Sequence, residues 1–147
     1  MTISLPEARD LRPLELQVRK IATNPPQVPM PIRGYYSNCV RVPAGALLFI
    51  SGQLGMDATG QLVSPDVAAQ AAQALRNIEL LLQANGASMM DVVKVTVYVT
   101  DIDSLDLIAP IRMRYFSRDG PASAIIEVSR LAVPGAKVEI EAIATVE

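Results

Sequence analysis

The chain has no histidine and a single cysteine, Cys39. Serine–histidine–aspartate and cysteine–histidine nucleophilic machinery are therefore excluded, as are paired-histidine acid–base catalysis, histidine-bearing zinc sites and thiolate clusters. Proton transfer near neutral pH falls to a carboxylate of raised pKa, a tyrosine, Cys39, a lysine or bound water. Among the carboxylates, Glu139 and Glu141 stand two apart in Val138-Glu139-Ile140-Glu141-Ala142, where the period of a strand puts both on one face. Such a pair serves equally as a solvated face or as partners of Lys137. Cys39 lies in an apolar run with no neighbour to lower its pKa, which reads as an inert, buried thiol. Arg112 and Arg114 fall on a predicted helix and are expected to face solvent.

The elements that must hold these groups follow from pattern. Residues 1–33 contain six of the eleven prolines and read as an extended N-terminal arm, with a helical turn around Ala8 to Leu16 and one short strand within Gln17 to Thr23. Residues 34–147 form the domain proper. Tyr36 to Val42 and Leu47 to Ser51, separated by Pro43-Ala44-Gly45, read as a β-hairpin. Ser64 is placed to cap a long helix, with Pro65 in its first turn and Gly86 just past its end. Within it Ala71, Leu75, Ile78 and Leu82 make one stripe. Val93, Val95, Val97 and Val99 share one side of a central strand. A second helix over about Ser104 to Phe116 carries Ile108, Ile111 and Tyr115 inward, and Pro110 demands a kink or a later start. Strands follow at Ser123 to Val128 and Lys137 to Val146, the latter with strict alternation. Helices alternating with strands imply an α+β fold, a mixed sheet with both helices packed on one face.

Composition narrows the partners. At 147 residues the chain fits one domain, and half its residues are hydrophobic while only 4 % are aromatic. This aliphatic excess, with one sheet face left uncovered by helices, makes an oligomer that closes sheet against sheet the economical arrangement. The net charge is −2 and the basic residues are scattered, which disfavours nucleic acid as a partner. The apolar stretch Ala44 to Ile50 is too short for a membrane span, and the first ten residues have no signal-peptide character. A cytoplasmic location and no membrane are expected.

Four stretches of the sequence are similar to one family. Phe49-Ile50-Ser51-Gly52-Gln53-Leu54-Gly55, Asp91-Val92-Val93-Lys94-Val95-Thr96-Val97-Tyr98, Pro121-Ala122-Ser123 and Val138-Glu139-Ile140-Glu141-Ala142-Ile143-Ala144 resemble the Rid family of reactive-intermediate deaminases. The family is also called YjgF-like and, in older usage, L-PSP endoribonuclease. The resemblance runs from about Arg19 to the C-terminus. It implies a chorismate-mutase-like fold and a homotrimer, with ligand clefts between subunits on the sheet side away from the helices. It also implies hydrolysis of 2-aminoacrylate-type enamines and imines to keto acids and ammonia, without metal or cofactor.

Carried over by position, the resemblance makes Glu139 the group that orients the hydrolytic water, and Tyr36, Ser51 and Gly52 pocket residues. Ser123 stands where active relatives have the arginine that grips the substrate carboxylate, and a serine hydroxyl cannot replace that bidentate contact. Ala109 and Ile125 likewise replace a family asparagine and cysteine. Arg33, just before the tyrosine motif, is a candidate to reach a pocket anion in place of the missing arginine. The resulting expectation is an enamine or imine hydrolase with a diverged pocket. The rival is a ligand-binding or regulatory trimer that has lost the chemistry. RNA cleavage or translation inhibition, suggested by the older family name, fits the acidic, histidine-free composition worst.

Overall fold

A computed structural model describes residues 20–43, 45–117 and 119–146. The helical turn expected around Ala8 to Leu16, and the first part of the strand expected from Gln17, lie outside the described residues. The chain runs β1 (Ile21–Thr23), β2 (Cys39–Arg41), β3 (Ala46–Leu54), α1 (Val67–Ala84), β4 (Val92–Val99), α2 (Leu105–Tyr115), β5 (Ala122–Glu127) and β6 (Val138–Val146). A four-stranded sheet has the order β3-β6-β4-β5, and β1 and β2 pair separately. In the larger sheet β3 and β4 flank β6 antiparallel, whereas β4 and β5 are parallel. The expected mixed sheet with two helices is therefore present. The β4–α2–β5 crossover follows the usual rule that parallel neighbours need a helical connection.

Two faces of the sheet differ in chemistry because its strands alternate. Val92, Val95, Val97 and Val99 of β4, with Val138, Ile140, Ala142 and Ala144 of β6, are buried in the core, whereas Val93 falls in a register shift of the β4–β6 ladder. They meet the α1 stripe of Ala71, Ala74, Leu75, Ile78 and Leu82. Burial of each large aliphatic side chain there contributes about 2 kcal/mol. On the other face Lys94, Thr96, Tyr98, Glu139, Glu141 and Ile143 are partly open, and Phe49 is 72 % exposed.

Several local expectations are corrected. The hairpin does not form: β2 pairs with β1 through Thr23 and Cys39, and β3 pairs with β6. The nine-residue run of β3 finds a longer apolar ladder on β6 than the three residues of β2 can offer. The cap of α1 is Asp66, whose side chain accepts from the Ala69 N–H at 2.9 Å, and Ser64 Oγ in turn accepts from the Asp66 N–H. A carboxylate facing the positive end of the helix outcompetes a hydroxyl for that place. The later start expected for α2 is observed: a 3-10 turn over Ile102–Ser104 precedes it, and the helix begins at Leu105 with Pro110 on its exposed side. Cys39 is exposed, because its three-residue strand lies outside the main sheet. Among the described residues no helix is long and apolar enough to cross a membrane.

One buried polar side chain ties α1 to the start of β6. Gln70 is fully buried; its amide donates to Ser64 O and Gly135 O, and its Oε1 accepts from the Lys137 N–H at 2.8 Å. Replacing it by leucine strands three backbone groups. The Gln70→Leu variant is expected to lose about 2–4 kcal/mol of unfolding free energy. Urea denaturation checks this, and a loss under about 1 kcal/mol would mean that the network carries little stability.

Candidate active site

Three pieces of chain meet at the β5 edge of the sheet. Segment 32–37 runs beside the start of β5: the Ser37 N–H donates to Pro121 O at 3.0 Å, Ser37 Oγ donates to Gly120 O at 2.7 Å, and Ser37 bridges Ala122 in parallel. Gly120 permits this approach, since a Cβ there would collide with the backbone carbonyl of Tyr35. The inner face of α2 closes the third side. Together these pieces enclose a cavity of about 240 Å³ lined by Ile32, Arg33, Tyr35, Tyr36, Arg112, Ser123 and Ile125.

At its wall lies a buried cation that the sequence reading placed in solvent. Arg112 is 1 % exposed. Its guanidinium carbon sits 4.2 Å from the centroid of the Tyr35 ring, and Nη2 donates to Ser123 Oγ at 2.8 Å. Nε and Nη1 are buried and have no hydrogen-bond partner among the described residues. Burial pushes the guanidinium pKa down to about 10, with the neighbouring charge of Arg33 adding to the depression and Tyr35 opposing it. It remains cationic at neutral pH. The inward set of α2 is Ile108, Ala109 and Arg112, with Ile111 and Tyr115 only partly buried. The available signal was phase: Arg112 follows Ile108 by four residues and precedes the buried Phe116 by four, the spacing of one helical stripe. Arg114 is exposed as expected.

Tyr36 and Arg33 line the same cavity. The Ile32 N–H donates to Tyr36 Oη at 3.3 Å, and the Tyr35 and Tyr36 rings lie 6.0 Å apart, tilted by 54°. Arg33 donates from Nη2 to Asp106 Oδ1 at 3.0 Å, a largely exposed ion pair. Such a pair is worth little in stability. Arg33 reaches the cavity rim and is already engaged, while Arg112 has the uncommitted donors.

A second group of site residues occupies the open face. The β3–β6 ladder shifts register between Ile50 and Gln53, so Ser51 and Gly52 sit in a bulge. Bulges re-aim side chains in this way. A Cβ on Gly52 would collide with Glu139 Oε1, so the glycine makes room for the carboxylate. Ser51 lines a cavity of about 430 Å³ with Phe49, Lys94, Thr96, Glu141 and Ile143. Tyr98 Oη donates to Glu141 Oε1 at 3.0 Å, and that bond, with a lesser contribution from burial, raises the phenol's pKa. Among the described residues no group of three His, Cys, Asp or Glu side chains is placed to hold a metal ion.

The structure thus brings Arg33, Tyr36 and Ser123 together in one cavity, and Ser51, Gly52 and Glu139 together elsewhere. Ser123 pairs with Val95, which points at the helices, so the serine is on the helix side of β5. This corrects the expectation that the whole cleft lies on the opposite side. Glu139 pairs with Tyr98 on the open face. The sheet itself separates the two groups within one chain.

Comparison with known proteins is consistent across most of the chain. Residues 27–146 match the family described as Endoribonuclease L-PSP. The human 2-iminobutanoate/2-iminopropanoate deaminase is 43 % identical over 112 residues, which covers 76 % of this chain and 80 % of that protein. A RutC family protein of Pyrococcus horikoshii is 43 % identical over 117 residues, covering 79 % and 90 %. Among solved structures, YyfB of Yersinia pestis, a Rid-family protein of unknown function, superposes with a TM-score of 0.81 at 33 % identity. It covers 88 % of this chain and 100 % of its own.

The contact between Gly52 and Glu139 gives a direct check of the open-face geometry. The obstacle to a Cβ is the far end of a flexible side chain, so Gly52→Ala is expected to cost less than about 1 kcal/mol in stability while turning the carboxylate away. A crystal structure of the variant with Glu139 undisplaced would contradict the packing described.

Proposed function

We propose that this chain, which belongs to the Endoribonuclease L-PSP family, hydrolyses small imines and enamines of 2-oxo acids in a pocket completed by a neighbouring copy. The observation that carries this reading is the carboxylate of Glu139, held over a side-chain-free residue in a strand bulge beside Ser51. The human relative, an imine deaminase by name, supports the substrate class. The net charge of −2 and the absence of histidine favour a small molecule over RNA.

In this scheme Glu139 takes a proton from water as its oxygen attacks the carbon of the C=N bond. The carbinolamine that forms receives the proton on nitrogen. Glu139 next passes the hydroxyl proton of the carbinolamine to the nitrogen as the C–N bond breaks, so ammonia leaves and a 2-oxo acid remains. For an enamine, a proton from solvent is first delivered to the terminal carbon and an N–H proton is returned to solvent, which converts it to the imine. Tyr36 and Ser51 hold the substrate by hydrogen bonds. A positioned acid–base group of this kind contributes about 10²- to 10⁴-fold to rate.

A homotrimer is the assembly that fits this reading. Leu47 and Phe49 on the open face are 52 % and 72 % exposed, and a partner would cover them while bringing its own β5 edge near Glu139. Light scattering on the purified chain should give three times 15.8 kDa; a monomer sinks the shared pocket.

The catalytic test is Glu139→Gln with 2-iminobutanoate as substrate. Ammonia release is expected to fall at least about 100-fold while 2-oxobutanoate binding changes by less than about threefold. Turnover that survives the substitution removes Glu139 from the mechanism. A wild-type chain that binds the keto acid without releasing ammonia from the imine instead supports a ligand-binding module.

A further inference from the structure

The geometry points to Arg112 as the anchor for the carboxylate of the bound ligand, delivered from helix α2 into the cavity of Tyr35, Tyr36 and Ser123. The inference deepens the reading above and rests on it for the substrate class, a 2-imino or 2-oxo acid.

A guanidinium carries five N–H donors: one on Nε and two on each terminal nitrogen. One donor on Nη2 goes to Ser123, and the three on Nε and Nη1 have no partner among the described residues. Burying a cation with its donors unmet costs several kcal/mol, which the Tyr35 ring and one hydrogen bond offset only in part. A residue kept only for packing would be replaced by an aliphatic side chain at lower cost. An anion accepting from the fork supplies both the missing bonds and the missing charge.

The surroundings agree with an anion. Arg33 lines the same cavity, and its charge acts on Arg112 as a like charge, so the concavity is positive. The acid that pairs with Arg33 is Asp106, which is 86 % exposed and outside the lining. The cavity of about 240 Å³ is on the scale of a small acid rather than a nucleotide. Tyr36 adds a hydroxyl beside the apolar Ile125, which suits a short carbon chain with a polar head.

Ser123 takes on a defined part in this arrangement. Its hydroxyl accepts from Nη2 and so fixes the rotation of the guanidinium plane over Tyr35. A large cationic side chain at 123 would occupy the place of Arg112 and repel it. The serine where the sequence resemblance leads one to expect an arginine is thus the partner of an arginine that arrives from another element. Ser123 is a positioning residue, and Arg112 is the one that touches the ligand.

The probe is 2-oxobutanoate, with 2-oxobutanamide as its uncharged counterpart, titrated calorimetrically into the full-length protein. Wild type is expected to bind the acid and to favour it over the amide by at least about tenfold. Arg112→Met is expected to weaken the acid by about thirtyfold or more, to leave the amide within about threefold, and to melt at or above the wild-type temperature. Ser123→Ala should weaken the acid by about three- to tenfold through lost orientation, and Arg112→Met with Ser123→Arg should recover part of the affinity.

Equal binding of acid and amide by wild type, failure of wild type to bind the acid, or unchanged acid binding in Arg112→Met each overturns the assignment. So does an Arg112→Met chain that melts well below wild type, since the cation would then be a structural member. Imine turnover is scored separately. Turnover with Arg112-independent binding overturns the anchor alone, whereas Arg112-dependent binding without turnover overturns the hydrolase alone.

Discussion

Desolvating a guanidinium is expensive, and the end of the molecule around β5 is organised by that cost. Arg112 is held between the face of Tyr35 and the hydroxyl of Ser123. For the ring to reach it, segment 32–37 must lie on the turn before β5. Gly120 permits this by having no side chain, and Ser37 fastens the segment there with a backbone and a side-chain hydrogen bond. Remove the small residue at 120 or the staple at 37, and the wall over the guanidinium opens. The fold there is one connected arrangement in which a helix, an edge strand and an irregular segment each contribute a surface to a single cation. Such a cation carries a net stability penalty, and proteins retain such penalties where ligands repay them.

The open face obeys a different constraint. Glu139 and Tyr98 stand in one cross-strand row with Ile126, while Ser123, Val95 and Ala142 stand in another. The rows are three residues apart, about 10 Å along the strand at the usual rise, and Glu139 and Ser123 leave the sheet on opposite sides. A ligand of a few carbon atoms cannot span a sheet. The proposed reaction therefore makes the neighbouring copy a chemical requirement as well as a cover for Phe49: the edge that holds Arg112 on one copy has to approach the bulge that holds Glu139 on another.

What the sequence made legible was whatever repeated. The valines of β4, the alternation of β6 and the stripe of α1 each report burial on one face, and all are observed. The bulge at Ser51 and Gly52 was not legible, because it arises from register against β6, a partner some ninety residues later. The hairpin failed for the same reason: turn residues at Pro43 and Gly45 describe a bend, and strand pairing is decided by which ladder buries more. The cap of α1 moved from Ser64 to Asp66 because the carboxylate also meets the positive end of the helix, while the Ser64 hydroxyl turns to the Asp66 N–H. Cys39 was assigned by its neighbours in sequence, and it is exposed because β2 pairs outside the main sheet.

Arg112 was missed for a more general reason. Hydrophobic patterning sorts charged residues outward by assumption, so a charged residue in phase with a buried stripe is read as noise in the pattern. Position-by-position transfer from a family has the complementary weakness: it asks what stands at 123, finds a hydroxyl, and records a lost charge. The two residues are eleven apart in sequence and 2.8 Å apart in space. A pocket's electrostatics depend on where the charged atoms end up, and a helix packed against an edge strand can deliver a guanidinium to the same small volume as the strand itself. A hydroxyl at 123 therefore does not by itself mean that the cavity has lost its positive charge.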